Sequence, residues 1–344
     1  MTLVVDKFRT LIPPRAKTSP SGWTSFNAPC CSHRGHAPDK RKRGGLRFDQ
    51  GIVYNCFNCK FTASWQPGRP LTEKFKSLCR WLGANETDIK DMIFEALKTE
   101  SPEYEFTDHI EKVIFESKEL PEGSLPLVEW ASMSDQLPKD LQIHLANAIQ
   151  YVMDRGHDPT NKLFFWSPLN GFESRVTIAF YYHGHIAGYT ARKTNEGKPK
   201  YLSEQHPHFI FNVDEQSENQ KYVFVCEGPF DALAIGGTAL LTNGIADQQA
   251  RILNSLGSEI IVIPDQDEAG LQVIEKAIHY NFAVAFPNWD DDVKDVADAV
   301  QRYGKLYVVV DAIKTAVSGE IKIKMAMKNL ERKLQRIKHA ENNN

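Results

Sequence analysis

Four of the six cysteines lie within thirty positions, as Cys30-Cys31-Ser32-His33 and then Cys56-Phe57-Asn58-Cys59. Two donor pairs with two-residue spacers, each on a tight turn, are what a tetrahedral Zn2+ requires. Such an ion takes the place of the hydrophobic core that about 45 residues cannot supply. Strand-forming residues flank the second pair: Gly45-Leu46-Arg47-Phe48, the turn Asp49-Gln50-Gly51, and Ile52-Val53-Tyr54-Asn55 running into Cys56. This pattern predicts a zinc ribbon over residues 21–70, closed by Pro67-Gly68-Arg69-Pro70. Cys30, His33, Cys56 and Cys59 are the expected ligands, with Cys31 the competitor for the first position. Cys79 and Cys226 read as buried apolar positions. Six cysteines in 344 residues make no disulfide framework, and their clustering points to a reducing compartment. No apolar run reaches the ~18 residues of a membrane span. Residues 1–10 carry no leader pattern, so a cytoplasmic location without membrane partners is expected.

The formal net charge of -3 excludes a uniformly basic binder, and 42% hydrophobic residues exclude a disordered acidic chain. The total conceals segregation. Residues 1–80 hold 15 Lys+Arg against 4 Asp+Glu, residues 81–130 hold 4 against 13, and residues 221–312 hold 6 against 14. Residues 313–344 are basic again, with 8 against 3. The basic head includes Lys40-Arg41-Lys42-Arg43 beside Phe48, Tyr54, Phe57 and Trp65. Cations interleaved with aromatic rings suit single-stranded nucleic acid, because cations track phosphates and rings stack on bases.

Residues 1–20 read as a flexible basic arm. Residues 71–126 read as two helices followed by a flexible acidic linker near 99–126. Residues 127–155 read as helical, and 163–202 as strands, with His183-Gly184 as a hairpin turn. The His183-Gly184-His185 triplet reads as turn residues rather than as a metal site. From 219 to 312, apolar strands alternate with helices: strands at 222–226, 239–242, 260–263, 283–286 and 306–310, and helices between them. That alternation predicts an α/β unit with a mostly parallel sheet. Residues 313–344 read as a basic amphipathic helix whose apolar members are Ile321, Met325, Leu330, Leu334 and Ile337.

Three of these strands end in acidic clusters: Glu227-Gly228-Pro229-Phe230-Asp231, then Asp265-Gln266-Asp267-Glu268-Ala269-Gly270, then Asp290-Asp291-Asp292 with Asp295 and Asp298. Ligands of open parallel sheets bind beyond the carboxyl ends of the strands. The clusters therefore converge on one crevice, where several carboxylates repel unless hard cations such as Mg2+ neutralise them.

The first two clusters resemble the TOPRIM domain shared by primases, topoisomerases and some nucleases. The cysteine/histidine set resembles the zinc domain of DnaG-type bacterial primases. Arg175-Val176-Thr177-Ile178-Ala179-Phe180, Gly188-Tyr189-Thr190-Ala191-Arg192 and Lys198-Pro199-Lys200-Tyr201-Leu202 resemble basic segments of the same catalytic core. The order and length are most similar to stand-alone primases of T-even-like bacteriophages, and no Gly-x4-Gly-Lys-Ser/Thr loop is present. The resemblance implies a multidomain α+β and α/β chain. Its parts would be the zinc ribbon, the amino-terminal part of a primase core (127–218), a TOPRIM domain (219–312) and the basic helix.

It also implies a DNA primase, a DNA-dependent RNA polymerase that makes short RNA primers by nucleotidyl transfer. Zn2+ would be structural and Mg2+ or Mn2+ catalytic, the latter held by Glu227, Asp265 and Asp267 with support from Asp231, Asp295 and Asp298. Arg175, Arg192 and Lys200 would contact triphosphate or template backbone. Expected partners are single-stranded DNA, ribonucleoside triphosphates and a replicative helicase in trans, within the host bacterium if the chain is phage-encoded. The family commonly has Asp-Gly-Asp where this chain has Asp265-Gln266-Asp267, so the Gln266 side chain is expected to point outward. Asp292 stands next after Asp295 and Asp298 for the third acidic motif. The rival functions are a metal-dependent TOPRIM nuclease and a non-catalytic zinc DNA-binding adaptor.

Overall fold

The computed structural model describes residues 3–48, 51–98, 115–169, 171–216, 220–242 and 244–342. The amino-terminal part holds helix α1 (Leu3–Thr10), strands β1 (Lys17–Thr18) and β2 (Thr24–Phe26), and the one-turn helix α2 (Cys30–His33). Strands β3 (Gly44–Phe48), β4 (Ile52–Cys56) and β5 (Thr62–Trp65) follow, then helices α3 (Glu73–Trp81) and α4 (Glu86–Lys98). The five strands pair antiparallel in sequence order. On β4 the period of two shows plainly, with Ile52, Tyr54 and Cys56 buried and Val53 exposed. Gly44 must be small, because a Cβ there would lie 2.9 Å from the Tyr54 hydroxyl and 3.1 Å from Ala28 Cα.

The amino terminus is not the flexible arm its Pro/Lys/Arg content suggests. Val4 and Phe8 of α1 are fully buried, and the Phe8 ring stacks on Phe75 of α3 at 5.1 Å. Lys7 pairs with Asp91 of α4 at 2.5 Å. Phe8→Ala is therefore expected to destabilise this part by about 3 kcal/mol, read as an earlier midpoint in urea unfolding. An arm without contacts would give no change.

The middle part holds β6 (Leu125–Pro126), α5 (Leu127–Ser132), α6 (Lys139–Asp154), β7 (Phe164–Trp166), β8 (Arg175–Tyr182), β9 (His185–Lys193) and β10 (Tyr201–Gln205). These strands form an antiparallel sheet ordered β10-β9-β8-β7-β6. His183 and Gly184 both take positive φ, as a two-residue hairpin turn requires. Residues 99–114 of the expected linker lie outside the described residues. Its remainder is not loose: Phe115 is buried against Phe209, Lys118 N–H donates to Ile186 O at 2.7 Å, and Phe115 O accepts from His185 Nε2.

The third part holds β11 (Tyr222–Cys226), α7 (Pro229–Ile235), β12 (Thr238–Ala239), α8 (Asp247–Ser255), β13 (Glu259–Val262), α9 (Glu268–Tyr280) and β14 (Ala283–Ala285). Then come α10 (Val296–Tyr303), α11 (Lys305–Thr315), β15 (Ala316–Val317) and α12 (Glu320–Asn342). The sheet runs β12-β11-β13-β14-β15, parallel except for β15. Val223, Val225, Ile260, Val262 and Val284 pack under α8, α9 and α12. Phe224, Cys226, Ile261 and Ala285 pack under α7, α10 and α11. Continuous apolar strands thus serve both faces of a three-layer α/β/α unit.

Two expectations change here. Residues 306–310 form the first turns of α11 rather than a strand, because only Val308 is buried while Leu306 is 78% and Tyr307 55% exposed. On α12 the buried stripe is Ile323 with Met327 and Leu330 against it, whereas Ile321 and Met325 face outward. The amino-terminal part rests on the amino edge of this sheet. Arg34 pairs with Glu259 at 3.0 Å, Lys74 N–H donates to Gly257 O at 3.0 Å, and Asn281 Nδ2 donates to Cys59 O. Among the described residues, no helix is long and apolar enough to cross a membrane.

Candidate active site and thiol cluster

At the carboxyl edge of the parallel sheet, β11 delivers Glu227 and the β13–α9 loop delivers Asp265 and Asp267. Gly228 and Pro229 turn the chain into α7, which places Asp231 one turn on. Asp231 Oδ1 accepts from Ala297 N–H at 2.9 Å, so the start of α10 is drawn to α7. Asp267 caps α9 by accepting from Gly270 N–H, and Asp295 caps α10 by accepting from Asp298 N–H. Capping engages one oxygen of each; the other oxygen of Asp295 faces Arg155 Nη1 at 3.5 Å. Gly270 is dictated by this packing, since a Cβ there would lie 2.0 Å from Asp265 O.

Glu227, Asp231, Asp265, Asp267 and Asp295 line one wall of a cleft of about 550 Å3. Burial pushes the Glu227 carboxyl up, and burial with the Asp295 charge pushes Asp231 to about 7. Asp265 is pushed to about 9 by burial, then by Asp231 and Glu227. Its Oδ1 is buried and finds no hydrogen-bond donor among the described residues. A buried, unpartnered carboxylate oxygen among like charges fits a divalent cation with oxygen preference. Asp298 lies outside the cleft wall and pairs with Arg155 at 3.8 Å. Asp290 and Asp292 are held outside by Arg302, at 3.0 and 2.7 Å, so the acidic triplet does not reach the crevice.

Lys200 and Arg155 line the same cleft, with Arg155 3.5 Å from Asp295. Arg192, first, then burial and Arg155 push the Lys200 ammonium down, which shows three cations crowded together. Arg192 lies over the Tyr201 ring at 4.6 Å, and its buried Nε and Nη1 have no partner among the described residues. Arg175 does not reach the cleft: it is buried, and its guanidinium donates to Ala191 O and Pro199 O at 3.2 and 2.9 Å. It braces the turn that carries Lys200. Arg155, just past the end of α6, was not legible in the sequence. No motif surrounds it, and only Gly156 with its positive φ marks the helix end.

Gln266 reverses its expected orientation. It is 7% exposed, and its Nε2 donates to Pro287 O at 3.0 Å. An extended loop points alternate residues to opposite sides. With Asp265 and Asp267 both in the cleft wall, Gln266 is sent inward.

The second site is in the amino-terminal sheet. The sulfurs of Cys30, Cys31, Cys56 and Cys59 all lie within 4.8 Å of one another, and all four residues are buried. Cys30 and Cys59 approach to 3.4 Å, Cys31 and Cys56 to 3.6 Å. Zn–S bonds of about 2.3 Å imply tetrahedral edges of about 3.8 Å, so four thiolates here fit zinc. The hydrogen bond to Cys56 pushes the Cys30 thiol up, and burial pushes Cys31 up; the full thiolate set needs a cation. His33 is not in this set. It is exposed and its ring stacks on Trp81 at 5.0 Å, leaving Cys31, held by Asn58 Nδ2, in the place expected for it. Of the aromatic residues beside the basic loop, Tyr54 and Trp65 are core, while Phe57 is 61% exposed. Arg43 is tied to Asp39 at 2.9 Å.

A mostly parallel sheet with clustered carboxylates at its carboxyl edge defines a TOPRIM-type α/β domain. The Toprim-like family model matches residues 224–300 of this chain. No curated protein matches the chain. Among solved structures, a DnaG primase catalytic domain bound to single-stranded DNA is 16% identical over 56% of this chain and 76% of its own, with TM-score 0.38. The E. coli primase catalytic core is 16% identical over 56% and 75%, with TM-score 0.37. The primase fragment of the bacteriophage T7 primase-helicase protein is 14% identical over 84% and 98%, with TM-score 0.37.

Proposed function

We propose that the chain is a DNA primase, a DNA-dependent RNA polymerase that makes short RNA primers on single-stranded DNA. The observation that carries this reading is one cleft lined by both clustered carboxylates and the cations Arg155 and Lys200. A nucleotidyl transferase must hold both divalent metal and triphosphate, whereas strand scission alone does not call for a triphosphate site. Glu227, Asp265 and Asp267 are the residues that would hold Mg2+ or Mn2+, which supplies charge neutralisation for the attacking hydroxyl and the leaving pyrophosphate. Asp231 and Asp295 support them by fixing α7 against α10. Arg155, Arg192 and Lys200 bind the triphosphate and orient its α-phosphate. Arg175 keeps Lys200 in place from behind.

The four-cysteine cluster would hold a structural Zn2+ in the head, whose exposed Phe57 and basic loop contact the template. The outward residues Ile321 and Met325 on the basic helix α12 are the surface offered to a replicative helicase in trans. The domain division follows the three sheets, with the TOPRIM unit from about 219.

The test is incubation with labelled ribonucleotides on random single-stranded DNA templates. Short, alkali-labile products that depend on template and Mg2+ are expected. Template scission without incorporation would establish the nuclease instead, and neither activity would leave a DNA-binding adaptor.

A further inference from the structure

We propose that Gln266 and Lys333 are positioning residues that lock the carboxyl-terminal helix α12 onto the carboxylate loop. Asp265 and Asp267 would then hold their spacing only while that helix is docked. The inference rests on the metal-site reading of these two aspartates.

Three separate segments meet at one ammonium. Lys333 Nζ donates to Gln266 Oε1 at 2.8 Å and to Trp289 O at 2.6 Å, and lies 3.7 Å from Asp291 Oδ1. Two of the ammonium's three N–H bonds have acceptors at hydrogen-bond distance, and the Asp291 carboxylate adds an ion pair. Gln266 carries the connection into the site. Its Nε2 donates to Pro287 O at 3.0 Å and its backbone N–H to Lys294 O at 2.7 Å. The residue between the two aspartates is thereby fastened to residues 287–294, the loop that leads into Asp295. Lys333 is only 13% exposed. A buried ammonium is costly to leave unpaired, and its hydrogen bonds are of the stronger, charge-assisted kind. The docked helix therefore admits one arrangement of both loops.

The surroundings agree. Lys338, further along α12, pairs with Glu268. Leu334 and Ile337 close a recess of about 300 Å3 against Ala269 and Val293. A glycine at 266 would leave Pro287 O and one Lys333 N–H without partners. A side chain with one acceptor and one donor bridges them.

The experiment uses the full chain and the variants Lys333→Met, Lys333→Arg, Gln266→Leu and the double change, with exposed Lys324→Met as the control. Two quantities are read: hydrogen–deuterium exchange of 264–269 and 287–294 without metal, and Mn2+ affinity from the free-ion electron paramagnetic resonance signal. Lys333→Met is expected to speed exchange in both loops about tenfold and to weaken Mn2+ binding roughly tenfold, as lost outer partners of metal ligands do. Lys333→Arg should recover most of both. The double variant should be no worse than the worse single one, because the two residues share one link.

Parent-like exchange in Lys333→Met, or an equal effect from Lys324→Met, overturns the proposal. If Lys333→Met unfolds globally, Gln266→Leu decides by the same two readouts. If Asp265→Asn leaves Mn2+ binding intact, the metal-site reading falls, and loop exchange alone then decides the lock.

Discussion

Asp265→Asn is expected to lower ribonucleotide incorporation by about three orders of magnitude or more while making the metal-free chain more heat-stable at pH 8. The two effects have one origin. Burial and the neighbouring Asp231 and Glu227 charges raise the Asp265 carboxyl to about 9 in the folded chain, against about 3.9 when unfolded. The folded chain binds this proton more tightly. Its contribution to stability is therefore complete below about pH 4 and is lost as pH rises toward 9. An asparagine needs no proton, so at pH 8 the metal-free variant should melt ~5 °C above the parent. The gap should shrink toward pH 5, where the parent carboxyl is already protonated. Added Mg2+ should raise the parent's melting temperature and leave the variant's nearly unchanged. Differential scanning calorimetry at the two pH values, with and without Mg2+, reads all of this. A variant less stable than the parent at pH 8 without metal would mean that the carboxylate is neutralised by something other than a divalent ion.

The second large effect is in the head. Cys56→Ser, or a strong chelator, is expected to unfold the amino-terminal sheet, because a structural Zn2+ site contributes about 10–16 kcal/mol of apparent binding energy to folding. Elemental analysis should find one zinc per chain in the parent and none in Cys56→Ser. Limited proteolysis should then cut within residues 17–65 and spare the parallel-sheet part. Cys31→Ser should behave like Cys56→Ser, whereas His33→Ala should keep its zinc, since that ring lies on Trp81. Zinc lost from His33→Ala and kept in Cys31→Ser would reverse the ligand assignment.

Much of the site could be read in the sequence because its chemistry sits at strand ends. The run Tyr222-Val223-Phe224-Val225-Cys226 announces a buried parallel strand, and Glu227 follows it without a gap. The spacing from Asp265 to Gly270 encodes a loop, an N-cap and a close approach in six residues. What could not be read depends on partners distant in sequence. Cys30, Cys31 and His33 all have donor chemistry, and spacing alone does not say which two face Cys56 and Cys59; the nearby Trp81 decides it by claiming the imidazole. Leu306-Tyr307-Val308-Val309-Val310 has the composition of a strand. The sheet edge beside β14 is filled by β15, so the run becomes a helix with Val308 and Ala312 as its buried side. On α12, two apolar stripes compete, and the one containing Ile323 wins because it fits under the parallel sheet. Arg155 acts through tertiary neighbours and no local pattern marks it, and the partners of Gln266 at Pro287 and Lys333 are distant in sequence.

The seating of the head on the amino edge of the parallel sheet sets a length scale for the whole molecule. From Glu259, which Arg34 grips, to Asp265 in the cleft is six residues, at most about 20 Å at ~3.3 Å per residue. The thiol cluster and the carboxylates thus stand at opposite ends of the same strands. A single ligand that touched both would have to run the full depth of the domain, so its least length is set by β13 rather than by either site.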